Sequence, residues 1–199
     1  MITSSHAHTD HLDGETLSAV LNASRNARLV VPASVREMAV NRLAGGGHRI
    51  DDIDVGSPVD IAGFRITAVP SAHEELERDD MGRYRFFGYI VQFGPWTVYH
   101  SGDTVLYEGM ADRLKPFGID VALLPINGRI AQVPGNMNAR EAAWLGREIG
   151  ARLVIPCHYD MFTFNTGRVE EFTAAADEAE QRYSVSHCGE RWASSMLES

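Results

Sequence analysis

The sequence predicts an α/β domain, and three observations carry that prediction. Strand-length apolar runs alternate with stretches of helical periodicity. Gly, Pro and Asn punctuate the joins between them. Three histidines and an aspartate crowd into His6-Ala7-His8-Thr9-Asp10-His11, immediately after the five opening residues.

The bulk numbers bound the function. A chain of 199 residues fits one domain, here residues 1–199. With 44% hydrophobic and 23% charged residues it is globular rather than disordered. A net charge of −9 with no basic run disfavours nucleic acid as a partner. No apolar run reaches the length of a membrane span, and no signal core opens the chain, so a cytoplasmic protein without a membrane partner is expected. Cys157 and Cys188 could in principle pair, but without an export signal reduced thiols are expected.

Residues 12–26 read as a helix with Leu17, Val20 and Leu21 on one side. Residues 28–32 (RLVVP) are a short buried strand, and 33–43 a second helix with Val35, Met38 and Leu43 inward, stopped at Gly45-Gly46-Gly47. Residues 51–59 read as polar and turn-prone. Residues 64–69 alternate as a half-buried strand running out to His73. The charged stretch 74–85 (EELERDDMGRYR) is either a solvated excursion or a loop over a site entrance. Residues 86–93 and 96–100 form a hairpin through Gly94-Pro95, ending in Ser101-Gly102-Asp103-Thr104. A helix is expected over 107–114, a buried strand over 119–125 and a loop over 127–136. Asn138 with Glu141 then forms a capping box for a helix whose inner face is Ala142, Leu145 and Ile149. Residues 152–157 are a strand ending at His158, residues 169–182 the last helix and 183–187 a short strand.

The His/Asp cluster cannot act as one strand, because alternate side chains point to opposite faces. A tight loop at a strand end turns His6 and His8 one way and Asp10 and His11 another, which suits two adjacent divalent ions. His73, Asp103 and His158 share one feature: each stands where an apolar strand stops, the place where layered α/β folds build sites. Taken singly, each reads equally as a loop, turn or core-edge residue; together, after the cluster, they point to a metal centre. His100 and His187 read as structural, and His48 as solvated.

HAHTDH, then His73, then SGDT, then PCHYD resemble the ordered ligand set of the metallo-β-lactamase fold. The stretches GRYRFFGYIVQFGPWTVYHSGDTVLYEGM, LLPINGR, GNMNAREAAWLGREIGARLVIPCHYDMF and FNTGRVEEF bring the likeness closer to the L-ascorbate-6-phosphate lactonase branch, from about Ile2 to Trp192. The resemblance implies an αββα sandwich. It implies that His6, His8 and His73 hold one ion, Asp10, His11 and His158 another, and that Asp103 bridges them. The ions would be zinc or manganese. Members of this family carry strands before the histidine cluster, so the resemblance also implies a fold truncated at its N-terminus, weaker than a complete relative or self-associating as a homo-oligomer.

The implied activity is hydrolysis of a small lactone or ester by water activated between the ions, with Asp10 and Asp103 as the catalytic carboxylates. Arg129 could clamp a phosphate or carboxylate, and Asn127 could bond sugar hydroxyls. Tyr159 could contact substrate or support His158. The alternatives are a metal-dependent phosphodiesterase and an inactive metal-binding remnant.

Overall fold

The computed structural model describes residues 1–43, 47–56, 58–129, 135–161 and 163–197. The glycine stop expected at 45–46 and the middle of the 127–136 loop lie outside the described residues.

Two sheets face each other. The smaller is parallel, in the order β1 (Ile2–Thr3), β2 (Arg28–Pro32), β3 (Arg49–Ile53). The larger runs β4 (Val59–Ile61), β5 (Phe64–Pro70), β6 (Phe87–Phe93), β7 (Trp96–His100), β8 (Val121–Pro125), β9 (Leu153–Cys157). Its first four strands are antiparallel neighbours, and β7, β8 and β9 are parallel. Side chains alternate along β2 and sort the layers. Leu29 and Val31 face helices α1 (Gly14–Ala23) and α2 (Arg36–Arg42). Val30 faces the large sheet, packing with Ile66, Ala68, Phe87 and Tyr89. On the far side Tyr99, Ala122, Leu124 and Val154 pack under α3 (Met110–Leu114), α4 (Ala139–Glu148) and α5 (Val169–Glu178). The order is helices, sheet, sheet, helices.

Caps set the helix starts. The Asp13 side chain accepts the Thr16 N–H at 2.8 Å, placing the start of α1 two residues later than periodicity suggested. The Asn138–Glu141 capping box forms as expected, a device worth about 1 kcal/mol. Ala142, Leu145 and Ile149 are all buried.

Several expectations are corrected. Val20 and Met38 are 44% and 42% exposed, because each sits at the flank of its helix's apolar stripe. The helix expected over 107–114 begins only at Met110, after Gly109 in a left-handed conformation. Of residues 51–59, expected to be turn-prone, 51–53 belong to β3 and Val59 opens β4. Arg28 engages Asp51 across the pair and Arg36 meets Asp52 at 3.2 Å, so neighbouring cations offset the acidic pair. Residues 74–85, by contrast, agree with the solvated excursion: they form a mostly exposed turn-back bridged at Arg78 and Tyr84, with Asp79 bound by Arg83 at 2.7 Å and the Arg78 guanidinium over the Tyr84 ring. Residues 183–187 contribute only a single bridge from Tyr183 to Val154.

The small sheet covers part of the large one. Trp96, Val98 and Ile155 on the inner face are half-buried, packed with Val121, Leu153 and Leu197. No helix among the described residues is long and apolar enough to cross a membrane.

Candidate metal centre

The chain leaves β1 and crosses between the sheets at Ser4 and Ser5. Ser4 donates its N–H to the Val30 carbonyl at 2.9 Å, and Ser5 accepts the Phe87 N–H at 3.0 Å. The Tyr89 hydroxyl donates to the Ser4 carbonyl at 2.8 Å. His6 therefore emerges where both sheets grip the backbone. The turn that follows is closed by Leu12 N–H on the His8 carbonyl, and Arg42 of α2 donates to the carbonyls of Ala7 and Leu12 at 2.6 and 3.0 Å.

The other candidates arrive from strand ends of the large sheet: His73 beyond β5, Asp103 beyond β7 and His158 beyond β9. Gly102 makes the approach of Asp103 feasible. Its φ is +60°, and a Cβ there would lie 2.7 Å from both the Phe87 carbonyl oxygen and Ser5 Cβ. His158 has φ +66°, a left-handed conformation unusual for a residue with a Cβ and a frequent mark of functional sites. Gly167 N–H binds its carbonyl at 2.8 Å.

All seven expected ligands converge. Donor atoms of Asp10, His11 and His158 lie within 4.8 Å of one another, as do those of His6, His11 and Asp103. His11 Nε2 is 3.3 Å from Asp103 Oδ1 and 3.6 Å from Asp10 Oδ2. His158 Nε2 is 3.7 Å from Asp103 Oδ2 and 3.9 Å from Asp10 Oδ2. The His8 ring centre lies 4.5 Å from that of His6 and 4.8 Å from that of His73. A cavity of about 250 Å³ beside the cluster is lined by Asp10, His11, His100, Asp103, His158 and Met161, among others. A larger cleft of about 590 Å³, against α5, holds none of these groups.

The electrostatics suit a cation. Burial, with His11 and other imidazoles nearby, lowers the His6 pKa to about 2, so its ring is neutral at physiological pH. Burial alone would raise the Asp103 pKa, but the hydrogen bond and charge of His11, with His158 and His6, hold it well below the usual carboxylate range. Burial also depresses His11, but the bond to Asp103 and the charges of Asp103 and Asp10 outweigh it, and the net shift is upward. The buried His6 Nε2 has no hydrogen-bond partner among the described residues. A neutral imidazole with an orphaned nitrogen, grouped with the ionised Asp103 carboxylate, is a donor set that suits a divalent ion, and these residues fit one. Burial pushes the neighbouring Cys157 thiol to about 12, so it is not a thiolate ligand at neutral pH.

The expected substrate contacts are placed differently. Arg129 lies on the loop after β8, and its Nη1 binds both oxygens of Glu141 at 2.9 Å. The Tyr159 hydroxyl is engaged by the backbone of Ser186. Asn127 is buried and donates to Asn165 at 2.7 Å, leaving its own oxygen without a hydrogen-bond partner among the described residues.

Sequence reasoning missed the groups that hold the cluster in place. Ser5 Oγ lies 2.9 Å from His6 Nδ1 and 3.1 Å from His11 Nδ1, a single hydroxyl serving two rings. Thr104 ties three loops, accepting Ala72 N–H on Oγ1, giving its own N–H to Asn136 Oδ1 and accepting Met137 N–H on its carbonyl. Adjacency to the cluster and to Asp103 was the only signal for either.

Comparison with known proteins agrees with this geometry. Residues 1–159 match the Beta-lactamase superfamily domain. A UPF0173 metal-dependent hydrolase of Methanoculleus marisnigri is 31% identical over 179 residues, spanning 86% of this chain and 71% of the relative. Its counterpart in Methanospirillum hungatei JF-1 is 30% identical over 181 residues, spanning 89% and 75%. The solved structure of Igni18, a metallo hydrolase from Ignicoccus hospitalis, matches with a TM-score of 0.75 at 22% identity, covering 94% of this chain and 76% of that one. At that identity the likeness speaks for the fold alone, and it agrees with the sandwich expected from the sequence. The match over residues 1–159 and these relatives place this chain in the metallo-β-lactamase superfamily and, within it, among the UPF0173 metal-dependent hydrolases.

Proposed function

We propose that this hydrolase opens a small lactone or ester at a pair of divalent ions, zinc or manganese. A phosphorylated sugar lactone such as L-ascorbate 6-phosphate is the candidate substrate class. The observation that supports this reading is the sharing of His11 between two donor trios, with Asp103 in contact distance of both His11 and His158. In the proposed assignment His6, His8 and His73 hold one ion, Asp10, His11 and His158 the other, and Asp103 spans them.

Ions bound there would polarise the substrate carbonyl and lower the pKa of water from 15.7 toward about 7. The chain's residues do the rest. Asp103 stays ionised throughout, because its histidine neighbours stabilise the charge. The Asp10 side chain is 28% exposed against 8% for Asp103, so Asp10 is the carboxylate that can take the proton of the attacking water. Asn127 is buried and bonded to Asn165, so its oxygen would reach a sugar hydroxyl only if its surroundings moved. Arg129 binds Glu141 through Nη1, and the remaining N–H groups of its guanidinium are the donors it would offer a substrate phosphate. Tyr159 braces the His158 loop through Ser186.

The test is turnover by protein reconstituted separately with manganese and zinc, on a phosphorylated sugar lactone, a neutral lactone and a phosphodiester. Lactone hydrolysis abolished in His8→Ala supports the reading. Turnover of the phosphodiester alone replaces it with a phosphodiesterase. Stoichiometric metal with no turnover of any of the three identifies a metal-binding remnant.

A further inference from the structure

His73 differs from His6 and His11 in what orients it. His6 and His11 are tied by Ser5, whereas no hydrogen bond reaches the His73 ring among the described residues. Packing orients it instead. The Phe86 ring stacks on it with centres 5.2 Å apart and planes at 26°, and Phe86 also lies 5.0 and 5.8 Å from the rings of His6 and His8. Gly135 closes the ring's edge. A Cβ at Gly135 would lie 2.5 Å from His73 Nδ1, 2.6 Å from Cε1 and 2.3 Å from the His73 carbonyl oxygen, and the φ of +136° is itself a glycine conformation.

We infer that Phe86 and Gly135 are positioning residues that clamp the His73 imidazole, closing its Nδ1 edge and presenting Nε2 as the donor to the metal centre. The inference deepens the proposed assignment of His73 as a ligand and rests on it. The clamp is anchored at both jaws. Phe86 immediately precedes β6 and gives its carbonyl to the Ser71 N–H at 3.0 Å. Gly135 precedes Asn136 and Met137, which bind the N–H and carbonyl of Thr104, next to Asp103. The strand that delivers His73 and the loop that delivers Asp103 are thus set against one another through the clamp. A ligand ring lacking a hydrogen-bonded support needs such a substitute, since loss of an orienting partner typically weakens metal binding 10–100-fold.

The experiment uses the whole chain with ¹⁵N-labelled histidine, loaded with ¹¹³Cd²⁺. Cadmium coupling at His73 Nε2 is expected, and coupling at Nδ1 would overturn the inference. Variants give a second readout through Zn²⁺ competition with a chromophoric chelator. Phe86→Leu and Gly135→Ala are each expected to weaken one of the bound ions by about 10–100-fold, with Phe86→Tyr restoring it, and circular dichroism melting confirms that each variant folds. Folded Leu and Ala variants that bind both ions with wild-type affinity would overturn the clamp and leave the metal assignment standing. Wild-type protein that binds neither Cd²⁺ nor Zn²⁺ would overturn both. If neither variant folds, the wild-type coupling decides.

Discussion

The hydroxyl of Thr104 accepts the backbone N–H of Ala72 at 2.9 Å, across 32 residues of sequence. This bond joins the strand end that carries His73 to the strand end that carries Asp103. Both residues are almost fully buried, so the amide has no water to turn to if the hydroxyl is removed.

Thr104→Val keeps the shape and deletes that acceptor. Stranding a buried N–H costs about 1–3 kcal/mol, and the loss is expected as a lowered urea midpoint. Metal affinity is expected to fall with it, because the two ligand loops are no longer held in register. A variant with unchanged midpoint and unchanged metal binding would show that the loops are set by packing alone.

Ser5→Ala separates orientation from stability. Ser5 Oγ can accept a hydrogen bond from Nδ1–H of both His6 and His11, which leaves Nε2 on each ring as the metal donor. Its removal is expected to weaken metal binding by about 10–100-fold, while the metal-free melting temperature changes little. Isothermal titration with Zn²⁺ reads the affinity, and a wild-type value would remove Ser5 from the design.

The metal-free protein is expected to lose stability as pH falls. His6 has a folded pKa of about 2 and His100 of about 4, both lowered by burial from 6.5, and burial lowers His73 as well. Below 6.5 the unfolded chain takes up these protons and the folded chain does not, so stability rises with pH across the interval between the two values. His11 acts oppositely: its folded pKa is raised, so its contribution is present below 6.5 and lost as pH rises through the folded value. Three groups against one give a net loss toward acid, and Asp103 adds to it once pH falls below its ordinary 3.8. Urea midpoints measured from pH 6.5 down to about 4 should fall steadily; a flat profile would contradict the assigned shifts.

Much of this was legible in the sequence, and the reason is physical. Strands such as 28–32 and 96–100 are apolar because they are buried, and the strand-end histidines stand out because a charged or polar group there must have a use. The capping box was legible since its chemistry is local. The strand at 51–53 was missed because its acidic side chains are balanced by Arg28 and Arg36, partners 23 and 16 residues away along the chain. The short α3 was misjudged because a left-handed Gly109, not the apolar spacing, sets its start. The role of Thr104 was invisible because it depends on three loops meeting, which no spacing rule records. Arg129 was legible as a loop cation, but its pairing with Glu141 was not, since Glu141 had already been assigned to the helix cap and serves both.

The left-handed backbone at His158 sets a bargain between durability and activity. A residue with a Cβ at φ +66° carries strain of about 1–3 kcal/mol, which glycine would relieve. His158→Gly is therefore expected to remove the imidazole and activity together while making the metal-free fold harder to melt. Selection for thermal resistance alone would favour such a change, and a purely stability-guided redesign of this enzyme would arrive at a tougher protein that no longer turns over.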